Sequence, residues 1–306
     1  MRPFERSLLA ASNPLFNRSR SGSLPGMTIR ALYYSAAFVA ALFSVTAGAF
    51  AAEELVRFDS AAFRPSKFQV ERARKLGRSP TPASAQRLEG RLRKPEGAGP
   101  FAAVVVLHGC GGVWRWDDVW SERLVEWGYV ALSVDSFGPR ESRSVCENPL
   151  SVPGPVRALD AHGAKSFLAA LPFVDPGRIA VIGMSHGGWA ALTAIQNDAT
   201  SALDLKPFRA AIALYPWCDE PTELDAPLLI LIGGRDDWSP AARCRRYAEG
   251  ARARFEVVLK EYAGAYHLFD LKGVNERQQG HILRYDPQAA QDAIERVRAF
   301  LGRNLR

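Results

Sequence analysis

The sequence has 306 residues, of which 47% are hydrophobic and 23% are charged, and its formal net charge is +7. This composition is ordinary for a globular protein and excludes collagen-like, coiled-coil and wholly disordered chains. Without residues 1–51, which hold five Arg and one Glu, the 39 basic residues fall to 34 and the 32 acidic residues to 31. That balance provides no basic surface of the kind that indicates nucleic-acid binding.

The N-terminal segment predicts an export signal. Arg30 precedes a run without charged residues, Ala31 to Val45, and the small residues that follow provide two A-x-A cleavage sites between residues 47 and 51. Met27 opens a more conventional leader than Met1, so both are candidate starts. We expect cleavage and an exported, periplasmic or secreted protein with no stable membrane insertion. The alternative is an uncleaved anchor, although the run is short for a membrane span of about 20 residues.

The remaining chain is expected to begin with an irregular N-terminal extension, residues 52–86, and to continue as one domain, residues 87–306. Predicted strands cover residues 87–94 at the sheet edge, then 102–107, 129–134, 178–182, 210–214, 228–232 and 255–261. Predicted helices cover residues 116–127, 156–171, 187–196, 241–251 and 287–301. This alternation indicates an α/β domain with a mostly parallel, twisted sheet and helices on both faces.

A pentapeptide of the form G-x-S-x-G follows the strand predicted at 178–182. It reads Gly183-Met184-Ser185-His186-Gly187, and a predicted helix begins at its last residue. A serine in a tight turn between a strand and a helix exposes its hydroxyl, and the flanking glycines keep side chains out of the turn. We therefore predict Ser185 as a nucleophile. A glycine-rich turn with a locally hydrogen-bonded serine is the alternative.

A nucleophilic serine needs a neighbouring base and an acid that orients the base. His267 lies in the loop after the last predicted strand and is the predicted base, whereas His281 lies in a polar stretch and is expected at the surface. Asp236 and Asp237 both follow the strand at 228–232, where the acid belongs. The frame G-x-x-D-x-x-x-P favours Asp236, and Asp237 would then cap a helix or bind a backbone N–H.

Two backbone N–H groups are predicted to bind the oxyanion that forms when a serine attacks a carbonyl. One is the N–H of His186, directly after the nucleophile. The other is the N–H of Cys110, in the run HGCGG after the strand at 102–107. This run does not match the glycine patterns of phosphate-binding loops, which excludes that alternative.

These motifs together resemble the dienelactone hydrolase family of α/β-hydrolases, from about residue 87 to residue 301. The resemblance rests on the segments HGCGG, GYVALSVDSFGPR, PFVDPGRIAVIGMSHGG, LLILIGGRDDWSP and GAYHLFD. It implies the α/β-hydrolase fold and a catalytic triad formed by Ser185, Asp236 and His267.

The sequence departs from the best-known members of this family at two positions. Those members have Cys where Ser185 stands and a Glu near Gly109, and both are absent here. These departures favour a serine esterase over an enzyme whose substrate is dienelactone. The resemblance also implies that Arg140 binds a substrate carboxylate, and a loop salt bridge is the alternative for this arginine.

Four cysteines are present, an even number that suits an oxidising compartment. In the strand order that the resemblance implies, Cys110 and Cys146 follow neighbouring strands, and Cys218 and Cys244 lie beside the next pair. We therefore predict the disulfides Cys110–Cys146 and Cys218–Cys244 among three possible connectivities, with four buried thiols as the alternative. No C-x-x-C or Cys/His cluster occurs, so no metal site is predicted.

Several tryptophans fall in or near the loops at the strand ends. Trp217 and Trp238 are predicted to line a substrate pocket, whereas Trp120 and Trp189 are expected in the core.

The combined expectation is a hydrolase that cleaves small-molecule carboxylic esters or lactones through an acyl-serine intermediate, with no cofactor. A peptidase or acyltransferase on the same fold, and a non-catalytic binding protein, are the alternatives. No sequence pattern indicates an oligomeric state.

Overall fold

The computed structural model describes residues 53–62, 71, 74, 75, 77, 84–197 and 206–306, so the predicted leader over residues 1–51 lies outside the described residues. The strands are β1 Glu54–Asp59, β2 Arg87–Arg93, β3 Phe101–Leu107, β4 Val130–Asp135, β5 Val174–Met184, β6 Ala211–Leu214, β7 Glu223–Leu224, β8 Leu228–Gly233, β9 Arg252–Ala253, β10 Val257–Tyr262, β11 Asn275–Gln278 and β12 His281–Arg284. The α-helices are α1 Arg115–Glu126, α2 Gly154–Ala169, α3 His186–Thr193, α4 Ala241–Gly250 and α5 Pro287–Asn304, and a 3-10 helix covers Gly138–Arg140.

Eight strands form one sheet in the order β1-β2-β4-β3-β5-β6-β8-β10. The first two pairings, β1 with β2 and β2 with β4, are antiparallel, and all pairings from β4 to β10 are parallel. Strands β11 and β12 form a separate antiparallel hairpin, and β7 pairs with β9. The predicted α/β architecture with a mostly parallel sheet is confirmed.

The centre of the sheet is apolar because its strands are covered on both faces. In β3 (FAAVVVL) every residue after Phe101 is buried, as expected of a parallel strand between two helical layers. The connection from β3 to β4 and the connection from β4 to β5 run in opposite directions across the sheet. Because crossovers between parallel strands are right-handed, α1 and α2 belong on opposite faces of the sheet. No helix in the described ranges is both long enough and apolar enough to cross a membrane.

The expectation that residues 87–94 form the edge of the sheet is wrong. The edge strand is β1, which lies in the segment expected to be irregular, and β2 is paired on both sides. Only Val56 and Phe58 of β1 point into the core, and Phe58 stacks on Phe167 of α2 with ring centroids 5.5 Å apart. Two inward side chains between charged ends make a periodic pattern too short to detect in the sequence.

Candidate active site

The order of the strands reverses at β3, and the reversal brings two glycine-rich segments together. The chain runs outward from β3 to β4 and then returns to β5 on the other side of β3. A reversal of this kind opens a crevice at the carboxyl ends of the two adjacent strands. The loop after β3 carries Cys110, and the turn after β5 carries Ser185. These two segments are therefore neighbours at one edge of the sheet.

Ser185 occupies a turn with almost no free space around its backbone. Its φ of 53° and ψ of −116° lie in a region that residues other than glycine rarely adopt. A Cβ on Gly183 would lie 2.1 Å from the carbonyl oxygen of Gly187, and a Cβ on Gly187 would lie 2.2 Å from that of Leu107. The two flanking positions must therefore be glycine for β5, the turn and α3 to pack this closely.

Ser185, His267 and Asp236 form a continuous chain of hydrogen bonds. Ser185 Oγ lies 3.0 Å from His267 Nε2, and His267 Nδ1 lies 2.7 Å from Asp236 Oδ2. The side chains of His267 and Asp236 are 3% and 0% exposed. A buried carboxylate on Nδ1 leaves Nε2 free to accept the proton of the serine hydroxyl.

The loop after β8 distinguishes the two candidate acids. Asp236 Oδ1 accepts the N–H groups of Trp238 and Ser239, at 3.0 and 2.7 Å, which leaves its other oxygen for the histidine. Asp237 turns away and accepts the N–H of Ile282 at 3.2 Å. The structure therefore brings Asp236, and not Asp237, to His267.

The imidazole of His267 lies between two aromatic rings. Its centroid is 4.7 Å from that of Tyr215 and 5.4 Å from that of Trp238. These contacts restrict the rotation of the imidazole, so that the bond to Asp236 and the bond to Ser185 can form together.

Asp270 anchors the loop that carries His267. One of its oxygens accepts the indole N–H groups of Trp116 and Trp120, each at 2.8 Å, and the other accepts the hydroxyl of Tyr215 at 2.8 Å. Burial raises the pKa of Asp270, and the three hydrogen bonds oppose that shift. The loop is thereby tied to α1 and to the segment after β6.

The predicted oxyanion donors both have unused backbone N–H groups. No hydrogen bond between described residues uses the N–H of Cys110 or of His186. His186 is the first residue of α3, where helix geometry leaves the N–H without an internal partner. The positive end of the helix dipole adds to the attraction for an anion at this place.

A buried arginine links the two segments that carry these donors. Arg157 of α2 is fully buried, and it donates one hydrogen bond to Nδ1 of His186 at 2.9 Å and another to the carbonyl of His108 at 2.8 Å. Its guanidinium lies 5.0 Å from the ring centroid of Phe137. One side chain thus bonds both to the loop after β3 and to the start of α3.

Burial and the positive charge of Arg157 keep the adjacent imidazole neutral. They lower the pKa of His186 to about 4, with burial as the larger cause. His186 Nε2–H donates to the carbonyl of Pro149 at 3.0 Å, so Nδ1 is the nitrogen that accepts from Arg157. Burial lowers the pKa of Arg157 to about 10, and the arginine therefore remains a cation at neutral pH.

Both predicted disulfides are present, and they are confirmed as Cys110–Cys146 and Cys218–Cys244. The first joins the loop after β3 to the segment that follows the 3-10 helix. The N–H of Val145 also donates to the carbonyl of Cys110 at 2.8 Å, so two bonds hold this loop in place.

A cleft of two lobes opens on either side of Ser185. The lobes share a wall made by Cys110, Cys146, Ser185 and Trp238. The hairpin lobe has a volume of about 230 Å³ and is also lined by Gly109, Gly111, Gly112, Trp114, Met184, His267, Leu268, Glu276 and Gln278. The aromatic lobe has a volume of about 320 Å³ and is also lined by Pro149, Leu150, His186, Trp189, Trp217 and Ser239.

The four tryptophans lie where the sequence predicts them, and one of the two buried ones also borders the cleft. Trp217 and Trp238 line it, as expected, and Trp120 is buried in the core. Trp189 is buried, as expected, and the 9% of its surface that is exposed lines the aromatic lobe. It is the fourth residue of α3, close to Ser185, and that position places its ring at the cleft.

The structure selects the salt-bridge alternative for Arg140 and leaves His281 partly exposed. Arg140 does not line either lobe, because both of its terminal nitrogens donate to the buried carboxylate of Asp160, each at 2.8 Å. The salt-bridge alternative therefore describes it. The side chain of His281 is 34% exposed, as a surface position predicts, and it also stacks on Trp238 with centroids 4.9 Å apart and lies 3.5 Å from Asp237.

Sequence reasoning missed the supporting residues Arg157, Tyr215 and Asp270. Tyr215 and Asp270 lie in segments at strand ends, and a polar residue among apolar neighbours there is a detectable signal. Arg157 is a single arginine within a helix and has no such signal. The ranges that the structure describes contain no group of three or more His, Cys, Asp or Glu side chains suited to a metal ion.

Comparison with known proteins gives matches in sequence and in structure. A protein of Grosmannia clavigera named as a probable dipeptidyl-aminopeptidase B is 34% identical over 96 residues, which is 30% of this chain and 9% of that protein. The chain thus spans about a tenth of the length of such relatives. A protein of Bradyrhizobium named as a probable 2-oxo-3-(5-oxofuran-2-ylidene)propanoate lactonase is 23% identical over 235 residues, 70% of this chain and 88% of that protein.

A solved structure of similar fold is the dienelactone hydrolase-like promiscuous phosphotriesterase P91 from metagenomic libraries. It has a TM-score of 0.59 and 17% sequence identity, and the alignment covers 83% of this chain and all of that chain. The model of the dienelactone hydrolase family matches residues 88–305. Since this match includes most of the sequence and the whole of the cleft, the chain belongs to the dienelactone hydrolase family and has the α/β-hydrolase fold.

Proposed function

We propose that this protein is a serine hydrolase that cleaves carboxylic esters or lactones through an acyl-Ser185 intermediate. The observation that carries the proposal is the hydrogen-bonded chain from Ser185 Oγ to His267 and Asp236, at 3.0 and 2.7 Å, at the floor of an open cleft. The membership in the dienelactone hydrolase family supports the same type of reaction.

Acylation begins when His267 Nε2 removes the proton of the Ser185 hydroxyl as Oγ attacks the carbonyl carbon of the substrate. Asp236 stabilises the imidazolium that forms and keeps it in the orientation that faces the serine. When the tetrahedral intermediate collapses, His267 returns the proton to the leaving alcohol, which departs with the bonding electron pair. Ser185 is left as an ester of the acyl group.

The negative charge of the tetrahedral intermediate is placed on the carbonyl oxygen. The N–H groups of Cys110 and His186 are the donors for this oxygen, because both lack a partner among the described residues and both border the same crevice. Each such donor contributes about 2.7–4 kcal/mol to the stability of a transition state in comparable sites. Water activated by His267 then attacks the acyl-serine and releases the acid.

Active-site labelling of the full chain with a fluorophosphonate tests this proposal. We expect the label on Ser185, and we expect its loss in Ser185→Ala and a large reduction in His267→Ala. Ser151→Ala is the matched control, since among the described residues the hydroxyl of this exposed serine bonds only to the carbonyl of Asn148, at 2.8 Å, and to no histidine. Absence of label in a protein shown to be folded by circular dichroism would contradict the mechanism.

A peptidase is the second candidate because a curated relative bears the name of a dipeptidyl-aminopeptidase. A 4-nitrophenyl ester and the 4-nitroanilide of the same acid separate the two. We expect rapid release of 4-nitrophenol and little release of 4-nitroaniline. Comparable rates on the two compounds would favour the peptidase.

We also infer that the protein is exported after cleavage of residues 1–51, and that residues 87–306 form the catalytic domain after the extension 52–86. Two disulfides support an oxidising compartment. N-terminal sequencing of the mature protein from its native cell fraction tests the inference. We expect a new N-terminus at Phe50 or Ala52, and an intact leader would refute cleavage.

A further inference from the structure

The position of His267 determines which side of the ester enters which lobe. His267 borders the hairpin lobe and does not line the aromatic lobe. Since the imidazole must deliver a proton to the leaving oxygen, the alcohol has to lie on the side of His267. The acyl group is then directed to the opposite side of Ser185, into the aromatic lobe.

The aromatic lobe presents the carbon surfaces of two fixed indole rings. The carboxylate of Asp219 accepts the indole N–H of Trp189 and that of Trp217, the latter at 3.1 Å. With both N–H groups bonded away from the lobe, the rings offer only apolar surface to a ligand. The guanidinium of Arg243 lies 4.0 Å from the centroid of Trp217 and further restricts its ring.

Two apolar side chains of the aromatic lobe are exposed to solvent, although large apolar residues are usually buried in a folded protein. Leu150 is 71% exposed and Trp217 is 38% exposed, and both line the aromatic lobe. Apolar side chains gathered at the mouth of a cleft indicate a ligand that covers them. Flat indole faces suit an aromatic ring, which gains contact area and favourable ring geometry on stacking.

No described cation lines the cleft to receive a substrate carboxylate, and Arg243, which stacks on Trp217, donates its Nε–H to the carbonyl of Cys218 at 2.9 Å. Of the described residues that line the two lobes, none is Lys or Arg, and Glu276 of β11 is the single Asp or Glu. Arg140 is bound to Asp160. A carboxylate in this cleft would lose hydration and gain no partner.

On the basis of the hydrolase function proposed above, we propose that the substrate is an uncharged ester of a small alcohol with a carboxylic acid that carries an aromatic ring. The aromatic acyl group stacks in the aromatic lobe against Trp189 and Trp217. The alcohol occupies the hairpin lobe beside His267 and Glu276. An anionic ester is disfavoured, because no described Lys or Arg lines either lobe and Glu276 borders the alcohol side.

Two isomeric esters test the orientation with the full chain. Methyl 3-phenylpropanoate has its phenyl ring on the acyl side, and 2-phenylethyl acetate has it on the alcohol side. We expect kcat/KM to be at least about tenfold higher for the first ester, the range that apolar pocket contacts provide. Equal rates, or a preference for the second ester, would overturn the orientation.

Two further esters of 3-phenylpropanoic acid test the charge preference. The glycolamide and glycolate esters differ only by an amide against a carboxylate on the alcohol side. We expect at least about tenfold lower kcat/KM for the glycolate ester, and Glu276→Gln should narrow that difference. A glycolate ester that is hydrolysed as well as the glycolamide would refute the discrimination against anions.

A pair of exposed aromatic residues provides the matched variants. Trp217→Ala, in the aromatic lobe, should reduce the preference for methyl 3-phenylpropanoate about tenfold, whereas Phe255→Ala, at an exposed position that lines neither lobe, should leave that ratio unchanged. An equal effect of the two variants would contradict the assignment of the lobes. Fluorophosphonate labelling of Ser185 separates the outcomes: a labelled enzyme with the opposite selectivity overturns the substrate class alone, and an unlabelled one overturns the hydrolase function as well.

Discussion

The two disulfides are expected to contribute equally to stability and unequally to catalysis. Their sequence separations are 36 and 26 residues. The loop-closure relation then gives about 3.8 kcal/mol for Cys110–Cys146 and about 3.5 kcal/mol for Cys218–Cys244 at room temperature. Replacement of either pair by alanine should therefore lower the free energy of unfolding by nearly the same amount.

Only the first disulfide holds a proposed oxyanion donor. Cys110 is connected to the rest of the cleft by this bond and by the hydrogen bond from Val145 N–H at 2.8 Å. Without the disulfide, the Cys110 N–H is free to move away from the carbonyl oxygen of the substrate. Complete loss of one such donor lowers kcat by about 10²–10³. Because the hydrogen bond remains, we expect a smaller loss, between about tenfold and about a hundredfold.

The assay compares Cys110→Ala/Cys146→Ala with Cys218→Ala/Cys244→Ala. Urea unfolding measures stability, and kcat and KM are measured with 4-nitrophenyl acetate at a temperature where both variants are folded. The acetyl group is too small to reach Trp217, so the neighbouring Cys218 should not affect it. We expect kcat to fall in the first variant and to stay within about twofold in the second.

Equal losses of kcat in the two variants would refute the reasoning, because the effect would then follow stability and not the position of Cys110. An unchanged kcat in the first variant would show that the Val145 hydrogen bond alone holds the loop. Measurement of kcat before and after reduction of the wild-type protein with dithiothreitol is an independent test. The Cys218→Ala/Cys244→Ala variant is the control, because Cys110–Cys146 is its one remaining predicted disulfide.

Three further changes probe the buried groups beneath the cleft. Burial raises the pKa of Asp117 to about 7 from 3.8, so its contribution to stability is complete below about pH 4 and is lost as the pH rises through about 7. In urea unfolding above about pH 7, the free energy of unfolding of Asp117→Asn should exceed that of the wild type by at most about 4 kcal/mol. Arg157→Met should lower kcat at least about tenfold and raise the pKa of His186 in NMR titration, because a nearby positive charge is removed. Asp270→Leu should lose about 3–5 kcal/mol of unfolding free energy, since three buried donors lose their acceptor.

Conservative variants serve as controls for these three changes. A stability difference between Asp117→Asn and wild type that does not vary with pH would contradict the shifted titration. Arg157→Lys keeps the charge but cannot reach both His186 and His108, so kcat should fall while the pKa of His186 stays low. If the pKa of His186 is the same in Arg157→Met as in wild type, the arginine does not act on it. Asp270→Asn keeps one acceptor oxygen and should lose less stability than Asp270→Leu; equal losses would argue against the hydrogen-bond account.

The elements that the sequence predicted well are those whose local pattern agrees with their burial. The strand expected at 228–232 extends over Leu228–Gly233, and the helix expected at 241–251 covers Ala241–Gly250. Every residue of that strand is buried, so a continuous apolar run describes it completely. In β1 only two side chains enter the core, and no local pattern reveals that the strand pairs with residues 87–93.

The residues that touch the reacting atoms could be proposed from the sequence because each follows a strand at the same edge of the sheet. Ser185 and His267 were placed in this way, and a parallel sheet brings such loops together whatever the lengths of the connections. Asp236 and Asp237 could be ranked only by a motif. They are neighbours in one loop, and the sequence does not show which of the two side chains points toward His267. The hydrogen bonds to Trp238 and Ser239 determine that direction, and they exist only in the folded loop.

The supporting residues could not be predicted because each acts through partners that are distant in sequence. Arg157 is 49 residues from His108 and 29 residues from His186, and its role depends on α2 crossing beneath both segments. The aromatic lobe is a similar case, since Leu150, Trp189 and Trp217 come from three separate connections. A local pattern can show that a tryptophan lies near a strand end, but only the packing of those connections shows which rings face the same space. The substrate class therefore depends on tertiary contacts, whereas the nucleophile and its base depend on strand ends that the sequence already marks.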